Sequence, residues 1–190
     1  MPLTLSQDMS ADALLERDPL ALLLGMLLDQ QVPMERAFAA PYQLQQRLGH
    51  ELDVHELANY NPDALAQLFA APPALHRYPK AMAVRVQDLC RALVERYNGD
   101  VTALWRDVSN AAELFDRLVA LPGYGKQKAQ IFLALLGKQR NVRPAGWREM
   151  AGPYGDEGVY RSVADVTDAD SLARVRQHKQ QVKAAAKAKK

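Results

Sequence analysis

Two apolar helical runs that are separated by a short proline- and glycine-rich break constrain this chain more than any other feature of its sequence. The first run, from about Asn110 to Leu121, places leucines three or four residues apart, and the second covers Ala129 to Leu136. Between them stands Leu121-Pro122-Gly123-Tyr124-Gly125. Because proline and glycine interrupt helices, the pattern predicts two helices joined by a very tight turn.

This turn has the features of an anion site. Glycines at its two hairpin positions, Gly123 and Gly125, permit backbone dihedrals that other residues avoid, and they leave no Cβ in front of the main chain. Because the turn runs directly into a helix, free backbone amides and the positive end of the helix dipole face the same point. Lys126 and Lys128 add positive charge there. The turn therefore predicts a site for the phosphates of a nucleic acid, although a plain helical hairpin closed by glycines is the alternative.

The net charge of +2 hides a marked asymmetry along the chain. Residues 117–148 contain seven Lys or Arg and no Asp or Glu, and residues 171–190 contain seven more, again with no acid. These stretches hold 14 of the 24 basic residues, which leaves 10 against all 22 acidic residues elsewhere. Such clustering predicts a cationic surface for a polyanion. For residues 171–190 alone, a merely solvated helix is the alternative.

Helix signals recur along the chain and strand signals hardly occur, so we expect an all-α protein. Ser10 and Asp18 are predicted N-caps, and both Asp18-Pro19 and Asn61-Pro62 place proline at the first helical position. Apolar residues three and four apart predict a long core helix between Tyr78 and Asn98, which Gly99 ends.

Proline and cysteine positions narrow the expectations further. Pro41 should break or kink its helix, and residues 137–158, with two prolines and five glycines, should form a loop. Cys90 is the only cysteine, which excludes a disulfide framework, a cysteine-based zinc site and a four-cysteine iron–sulfur cluster. The apolar segment Leu20 to Leu28 is too short for a membrane span and lacks a basic leader, so we expect no membrane contact and a cytoplasmic location.

The stretch from Leu114 to Gly137 resembles the helix-hairpin-helix motif of the base-excision DNA glycosylases, the HhH-GPD superfamily, in its hairpin sequence and in the apolar helix beyond. Two upstream stretches also resemble the family, and they occur in the same order as in the family. Met26-Leu27-Leu28-Asp29-Gln30-Gln31 resembles the early helix that ends in glutamine, and segments between Tyr78 and Val101 resemble the central long helix. The resemblance covers residues 20–137 and weakens afterwards.

The resemblance implies a two-lobed helical fold with a DNA cleft between the lobes. Residues 20–136, with the hairpin at residues 121–125, would form a six-helix barrel lobe, and residues 1–19 plus 137–190 the second lobe. It also implies damaged double-stranded DNA as the partner of a monomer that associates with the nucleoid. Apart from a monovalent cation beside the phosphate, at Leu121 and Gly123, we expect no cofactor and no metal.

Base excision requires an extruded nucleotide and a buried carboxylate that stabilises positive charge on the sugar. The family places this Asp where the sequence has Ala145 and Gly146. Asp156 resembles the catalytic Asp of the alkylated-base branch and is the predicted catalytic residue, with an N-cap role as the alternative. Glu149 and Glu157 are further candidates.

Bifunctional members of the family use a lysine amine to form a Schiff base. Gln127 stands at the matching position, and because an amide cannot do this chemistry, the resemblance implies a monofunctional glycosylase with water as nucleophile. Two alternatives remain: a non-catalytic binder of DNA lesions or structures that retains the fold, and a helical module for protein interactions.

Further residues complete the predicted DNA interface. Gln31 matches the family glutamine that helps fill the space left by an extruded nucleotide, with a helix C-cap or a surface glutamine as the alternative. Tyr124 and Trp147 are candidates for stacking on a base or sugar, and Arg143 is a predicted DNA contact.

Overall fold

Every regular element of the computed structural model, which describes residues 1–190, is helical, and no strand forms. The all-α prediction is therefore confirmed. The ten α-helices are α1 (Met9–Arg17), α2 (Pro19–Leu28), α3 (Met34–Leu48), α4 (Val54–Asn59), α5 (Pro62–Ala70), α6 (Pro79–Tyr97), α7 (Ala111–Val119), α8 (Lys126–Gln139), α9 (Trp147–Ala151) and α10 (Ala169–Ala188). Three short 3₁₀ helices cover Val101–Leu104, Gly152–Gly155 and Val163–Asp165.

Aspartate and asparagine side chains begin most of these helices. Asp18 and Asn61 each accept a hydrogen bond from a backbone N–H two or three residues later, and each is followed by proline, as predicted. The prediction for Ser10 is wrong. Asp8 caps α1 instead, because its carboxylate reaches the N–H of Ala11 and leaves Ser10 inside the first turn.

Helix α2 lies at the centre of the core. All of its residues from Leu20 to Leu28 are buried, which explains why this segment is apolar around its whole circumference. It packs against α1, α3 and α6. No helix in the structure combines the length and the apolar character that a bilayer-spanning segment needs.

Two predictions about helix ends have different outcomes. Helix α6 ends as predicted, since Asn98 (φ 51°) and Gly99 (φ 79°) both adopt the left-handed conformation. Helix α3 continues through Pro41 to Leu48, so Pro41 does not break it, and the alternative of a kink stays a prediction. Pro41 is buried against the core, and this packing offsets the backbone hydrogen bond that proline cannot donate.

Residues 137–158 are not the predicted loop. Helix α8 extends through Gly137 to Gln139, and α9 and a 3₁₀ turn follow. Gly137 fits inside the helix because the ring of Trp147 occupies the place of a side chain, 2.4 Å from where a Cβ would stand. A five-residue helix such as α9 is too short for hydrophobic periodicity to reveal.

One hydrophobic cluster runs through the molecule and includes residues from both predicted lobes. Helix α10 joins this cluster through Leu172 and Val175, and almost every residue beyond Val175 is exposed. The basic residues of α10 therefore lie on a helical surface. The division into residues 20–136 and a second lobe stays a prediction.

Candidate nucleic-acid interface

The hairpin of residues 121–125 lies at the surface between α7 and α8. Gly123 and residues 125–127 are exposed. The backbone N–H groups of Gly123 and of residues 125–128 donate no hydrogen bond within the protein. The bend therefore presents a group of free amides to the solvent.

The two hairpin glycines have different roles. Gly123 has φ +82°, and a Cβ there would stand 2.4 Å from Cδ1 of Leu27, so both the backbone and the packing against α2 require glycine. Gly125 has φ −80°, which any residue adopts, so the prediction of an unusual dihedral is wrong at this position. A Cβ on Gly125 would meet open space, and its absence leaves the neighbouring amides uncovered.

The N-terminus of α8 has no side-chain cap. Gly125 occupies the N-cap position, and no side chain accepts a hydrogen bond from the first turn. In contrast, the side chain of Asn110 caps α7. The first turn of α8 contains no acid, and Lys126 is exposed. The free amides, the helix dipole and this ammonium together form a site suited to an anion.

The ring of Tyr124 is buried and is not available for stacking. Only 3% of the residue is exposed, and its hydroxyl donates a 2.6 Å hydrogen bond to the carbonyl oxygen of Leu23. Its ring packs edge-on against Phe132, and burial raises the pKa of the hydroxyl well above its usual value. The stacking prediction for Tyr124 is therefore wrong. The ring fixes the hairpin to α2 and α8.

Lys128 points toward α2. Its Nζ donates a 2.8 Å hydrogen bond to the carbonyl oxygen of Leu27. Burial lowers the pKa of the Lys128 ammonium to about 8, although the charge of Asp29 opposes the shift. The Lys128 ammonium is therefore held inside the protein, which disagrees with the prediction that it meets a phosphate. The phosphate contact of the exposed Lys126 stays a prediction.

The end of α2 lies beside the hairpin. The amide of Gln30 donates a 2.9 Å hydrogen bond to the Leu27 carbonyl oxygen and accepts one of 2.7 Å from Arg85. Gln31 follows with φ 57°, which is uncommon for a residue with a side chain, and is exposed. The DNA contact of Gln31 stays a prediction, and an exposed amide beside the hairpin is compatible with it.

The carboxylate of Asp29 precedes these two glutamines, and the sequence alone assigns it no role. The side chain of Asp29 is only 9% exposed, and Nζ of Lys179 in α10 lies 3.8 Å from its Oδ2. Burial raises the pKa of the Asp29 carboxyl, against the opposing charges of Lys179 and Lys128. No hydrogen bond reaches this carboxylate within the protein. In the sequence, Asp29 stands at an ordinary helix end, so no local pattern indicates that its carboxylate is buried.

The predicted catalytic residue lies at the surface. The carboxylate of Asp156 is 59% exposed and forms a 2.6 Å ion pair with Arg161, so the expected buried environment is absent. No helix begins at Asp156, and the N-cap alternative is therefore wrong as well. Glu157 pairs with Arg148 and is 80% exposed, and Glu149 is exposed too.

The position that the resemblance assigns to the family's Asp lies at the start of α9. Gly146 is the N-cap of this helix, with φ 79° and no side chain to offer. The carbonyl oxygen of Ala145 accepts a 2.9 Å hydrogen bond from the N–H of Ala111. This segment therefore packs on the beginning of α7 and brings no carboxylate with it.

Trp147 and Arg143 contact the protein itself. Trp147 is only 8% exposed, and the guanidinium of Arg148 lies 4.4 Å from its ring centre. Its ring is covered, so the stacking prediction is wrong for Trp147 also. Arg143 is exposed and donates a 2.8 Å hydrogen bond to the carbonyl oxygen of Gly137. Its DNA contact stays a prediction.

The hairpin carbonyl groups keep free lone pairs for a cation. The oxygen of Leu121 accepts a 3.1 Å hydrogen bond from the Tyr124 N–H, whereas the oxygen of Gly123 accepts none. A carbonyl oxygen has two lone pairs, so both residues fit a monovalent cation, which stays a prediction. No group of three or more His, Cys, Asp or Glu side chains is arranged to hold a metal ion.

Comparison with protein families gives a match over most of the chain. A family model described as "HhH-GPD superfamily base excision DNA repair protein" matches residues 24–190. The matched region contains the hairpin and extends beyond residue 137, where the sequence resemblance weakens. Comparisons with curated proteins and with solved structures gave no match.

Proposed function

Because the chain belongs to the HhH-GPD superfamily of base excision DNA repair proteins, we propose that it is a monofunctional DNA glycosylase. It hydrolyses the N-glycosidic bond of a damaged or mispaired base in double-stranded DNA. The observation that carries this proposal is the exposed hairpin, whose free amides meet the uncapped N-terminus of α8. Such a site holds a phosphate of either strand without reading the base sequence.

A second basic surface supports docking of a duplex. Lys179 lies 3.8 Å from Asp29 and so brings α10 next to the end of α2. Lys183 and Lys187 follow at intervals of four residues, which places them on the same face of the helix, and both are exposed. A DNA backbone that leaves the hairpin meets these ammonium groups.

The side chains around the hairpin support hydrolysis rather than strand cleavage through a Schiff base. Gln127 is exposed, and its amide donates a 2.9 Å hydrogen bond to the hydroxyl of Tyr154. No amine stands at this position, and the amine of Lys128 is hydrogen-bonded to the Leu27 carbonyl. Water is then the nucleophile, and the reaction leaves an abasic site in an uncut strand.

One alternative has a specific observation in its favour. Asp156 is exposed and paired with Arg161, and Gly146 occupies the place of the family's Asp. A protein without a catalytic carboxylate at either position would bind a lesion and release no base. This alternative is a non-catalytic binder of DNA lesions or structures.

Base release from defined duplexes tests the proposal. The wild type is incubated with duplexes that each carry one damaged or mispaired base, and the free base is measured by mass spectrometry. The wild type should release a base from at least one duplex, and strand cleavage should require subsequent alkali. Binding without release across the panel would favour the non-catalytic alternative, whereas no affinity for any duplex would contradict both.

A further inference from the structure

We propose that Asp29 is the carboxylate that faces the sugar of the extruded nucleotide and stabilises the positive charge that develops on it. Asp29 takes this role only if the proposed glycosylase function holds. Asp156 then has no part in base release.

Asp29 lies where three elements of the predicted DNA interface meet. It follows the last residue of α2 and precedes Gln30 and the exposed Gln31. Two residues before it, the carbonyl oxygen of Leu27 holds Lys128 of the hairpin helix. Lys179 of α10 lies on a third side. A nucleotide that leaves the duplex between the hairpin and Gln31 therefore enters the surroundings of this carboxylate.

The Asp29 side chain is largely buried, and its carboxylate lacks the hydrogen bonds that buried carboxylates normally accept. Its side chain is only 9% exposed, and no N–H or O–H group of the protein donates to it. Asp18, at the other end of the same helix, is also largely buried, but it accepts a hydrogen bond from the Leu20 N–H. Burial of a charged group that accepts no hydrogen bond is costly, and such groups cluster at functional sites.

The cations near Asp29 leave its oxygens free for a ligand. The 3.8 Å separation from Nζ of Lys179 exceeds a charge-assisted hydrogen bond, which is about 2.7–2.9 Å long. Lys128 donates instead to the Leu27 carbonyl. These two lysines provide a positive surrounding for the carboxylate, but neither one occupies it. By contrast, Arg161 already binds the carboxylate of Asp156 directly at 2.6 Å.

Base release requires a negative charge next to the sugar of the extruded nucleotide. As the C1′–N bond breaks, its electron pair leaves with the base, and positive charge spreads over C1′ and O4′ of the sugar. Water then adds its oxygen to C1′. One hydrogen of the water stays on the new hydroxyl, and the other ends on the released base. A buried carboxylate next to the sugar stabilises the charged state far more than one in water does.

Binding to two abasic-site analogues tests the assignment without knowledge of the target base. Two duplexes are identical except that one carries a cationic pyrrolidine in place of the sugar and the other a neutral tetrahydrofuran. The affinities of the wild type, Asp29→Asn and Asp156→Asn are measured by fluorescence anisotropy. The wild type should bind the cationic analogue at least about tenfold more tightly, as transition-state mimics are bound. Asp29→Asn should lose this preference, and Asp156→Asn should keep it.

These affinities distinguish a wrong assignment of Asp29 from a wrong proposal of glycosylase function. A preference that survives in Asp29→Asn, or one that disappears in Asp156→Asn, overturns the assignment. If the wild type binds both duplexes equally, Asp29 has no such role, while DNA binding stands. If the wild type binds neither duplex, the proposed function fails and the role of Asp29 with it. Thermal unfolding checks the fold of each variant, and Asp29→Ser, with a smaller side chain, provides a second test with the same expected loss.

Discussion

Lys128 donates a 2.8 Å hydrogen bond to the carbonyl oxygen of Leu27, which lies 101 residues earlier in the chain. The same oxygen accepts a 2.9 Å hydrogen bond from the side chain of Gln30. The hairpin helix is therefore joined directly to the end of α2. This contact sets the distance between the free backbone amides of the hairpin and the residues that follow Leu28.

The left-handed backbone of the hairpin makes Gly123 the more sensitive of its two glycines. Gly123→Ala should lower the free energy of unfolding by about 1–3 kcal/mol, since φ +82° disfavours a side chain and the new Cβ meets Leu27. Gly125→Ala is the matched control, with an ordinary φ and open space, and should change stability by less than about 1 kcal/mol. Urea denaturation measures both, and equal losses would contradict this division of roles.

The sequence predicts the hairpin and most helices because their signals are local. Proline after Asp18 and Asn61, and the glycines between α7 and α8, act within a few residues of their own positions. The tertiary surroundings are not local. Tyr124 is buried because α2 covers it, and nothing next to Tyr124 in the sequence indicates this.

The candidate site was predicted only in part for the same reason. Asp29 and Lys179 meet across 150 residues of chain, and nothing in the sequence around either residue indicates this contact. The segment around Asp156 resembles a family motif in sequence, but the environment of its carboxylate depends on Arg161 and on the exposure of the turn. Composition and spacing predict a tight hairpin with positive charge that is suited to a phosphate backbone, and only the folded chain shows which carboxylate lies next to it.

Lys126 is expected to contribute one phosphate contact. Lys126→Ala should weaken duplex binding and reduce the slope of log affinity against log salt by about 1, as the loss of one contact predicts. Arg91→Ala removes the same charge from a residue that contacts the Ala58 carbonyl on α4, and should leave the slope unchanged. Salt titrations by fluorescence anisotropy give both slopes. An unchanged slope for Lys126→Ala would exclude this contact.

The exposed end of α10 should strengthen duplex binding through its positive charge alone. The double variant Lys183→Ala with Lys187→Ala should reduce the salt slope by about 2 without loss of thermal stability, because both side chains are exposed. Arg174→Ala serves as the control, since its guanidinium already pairs with Asp170 at 2.8 Å. If the double variant binds like wild type at every salt concentration, α10 is a solvated helix with no DNA contact.

Burial of the Lys128 ammonium predicts a pH dependence of stability. Its pKa is about 8 in the folded protein and 10.5 ordinarily, so between these values the unfolded chain binds more protons. The free energy of unfolding of the wild type therefore increases as the pH rises from about 8 to 10.5. Lys128→Met lacks this contribution, and its stability relative to wild type should be highest below pH 8 and decline toward pH 10.5. Urea denaturation at intervals between these pH values measures the difference, and a constant difference would contradict a buried ammonium.

In the proposed function, free backbone amides of the hairpin hold the DNA backbone. The most direct measurement compares the wild type with Gly125→Ala on one short duplex over a series of salt concentrations. Log affinity of the wild type should fall linearly with log salt, and Gly125→Ala should bind about tenfold more weakly with the same slope, because the methyl group obstructs neutral amides and removes no charge. Absence of wild-type binding at the lowest salt, or identical affinities of the two proteins, would contradict the account.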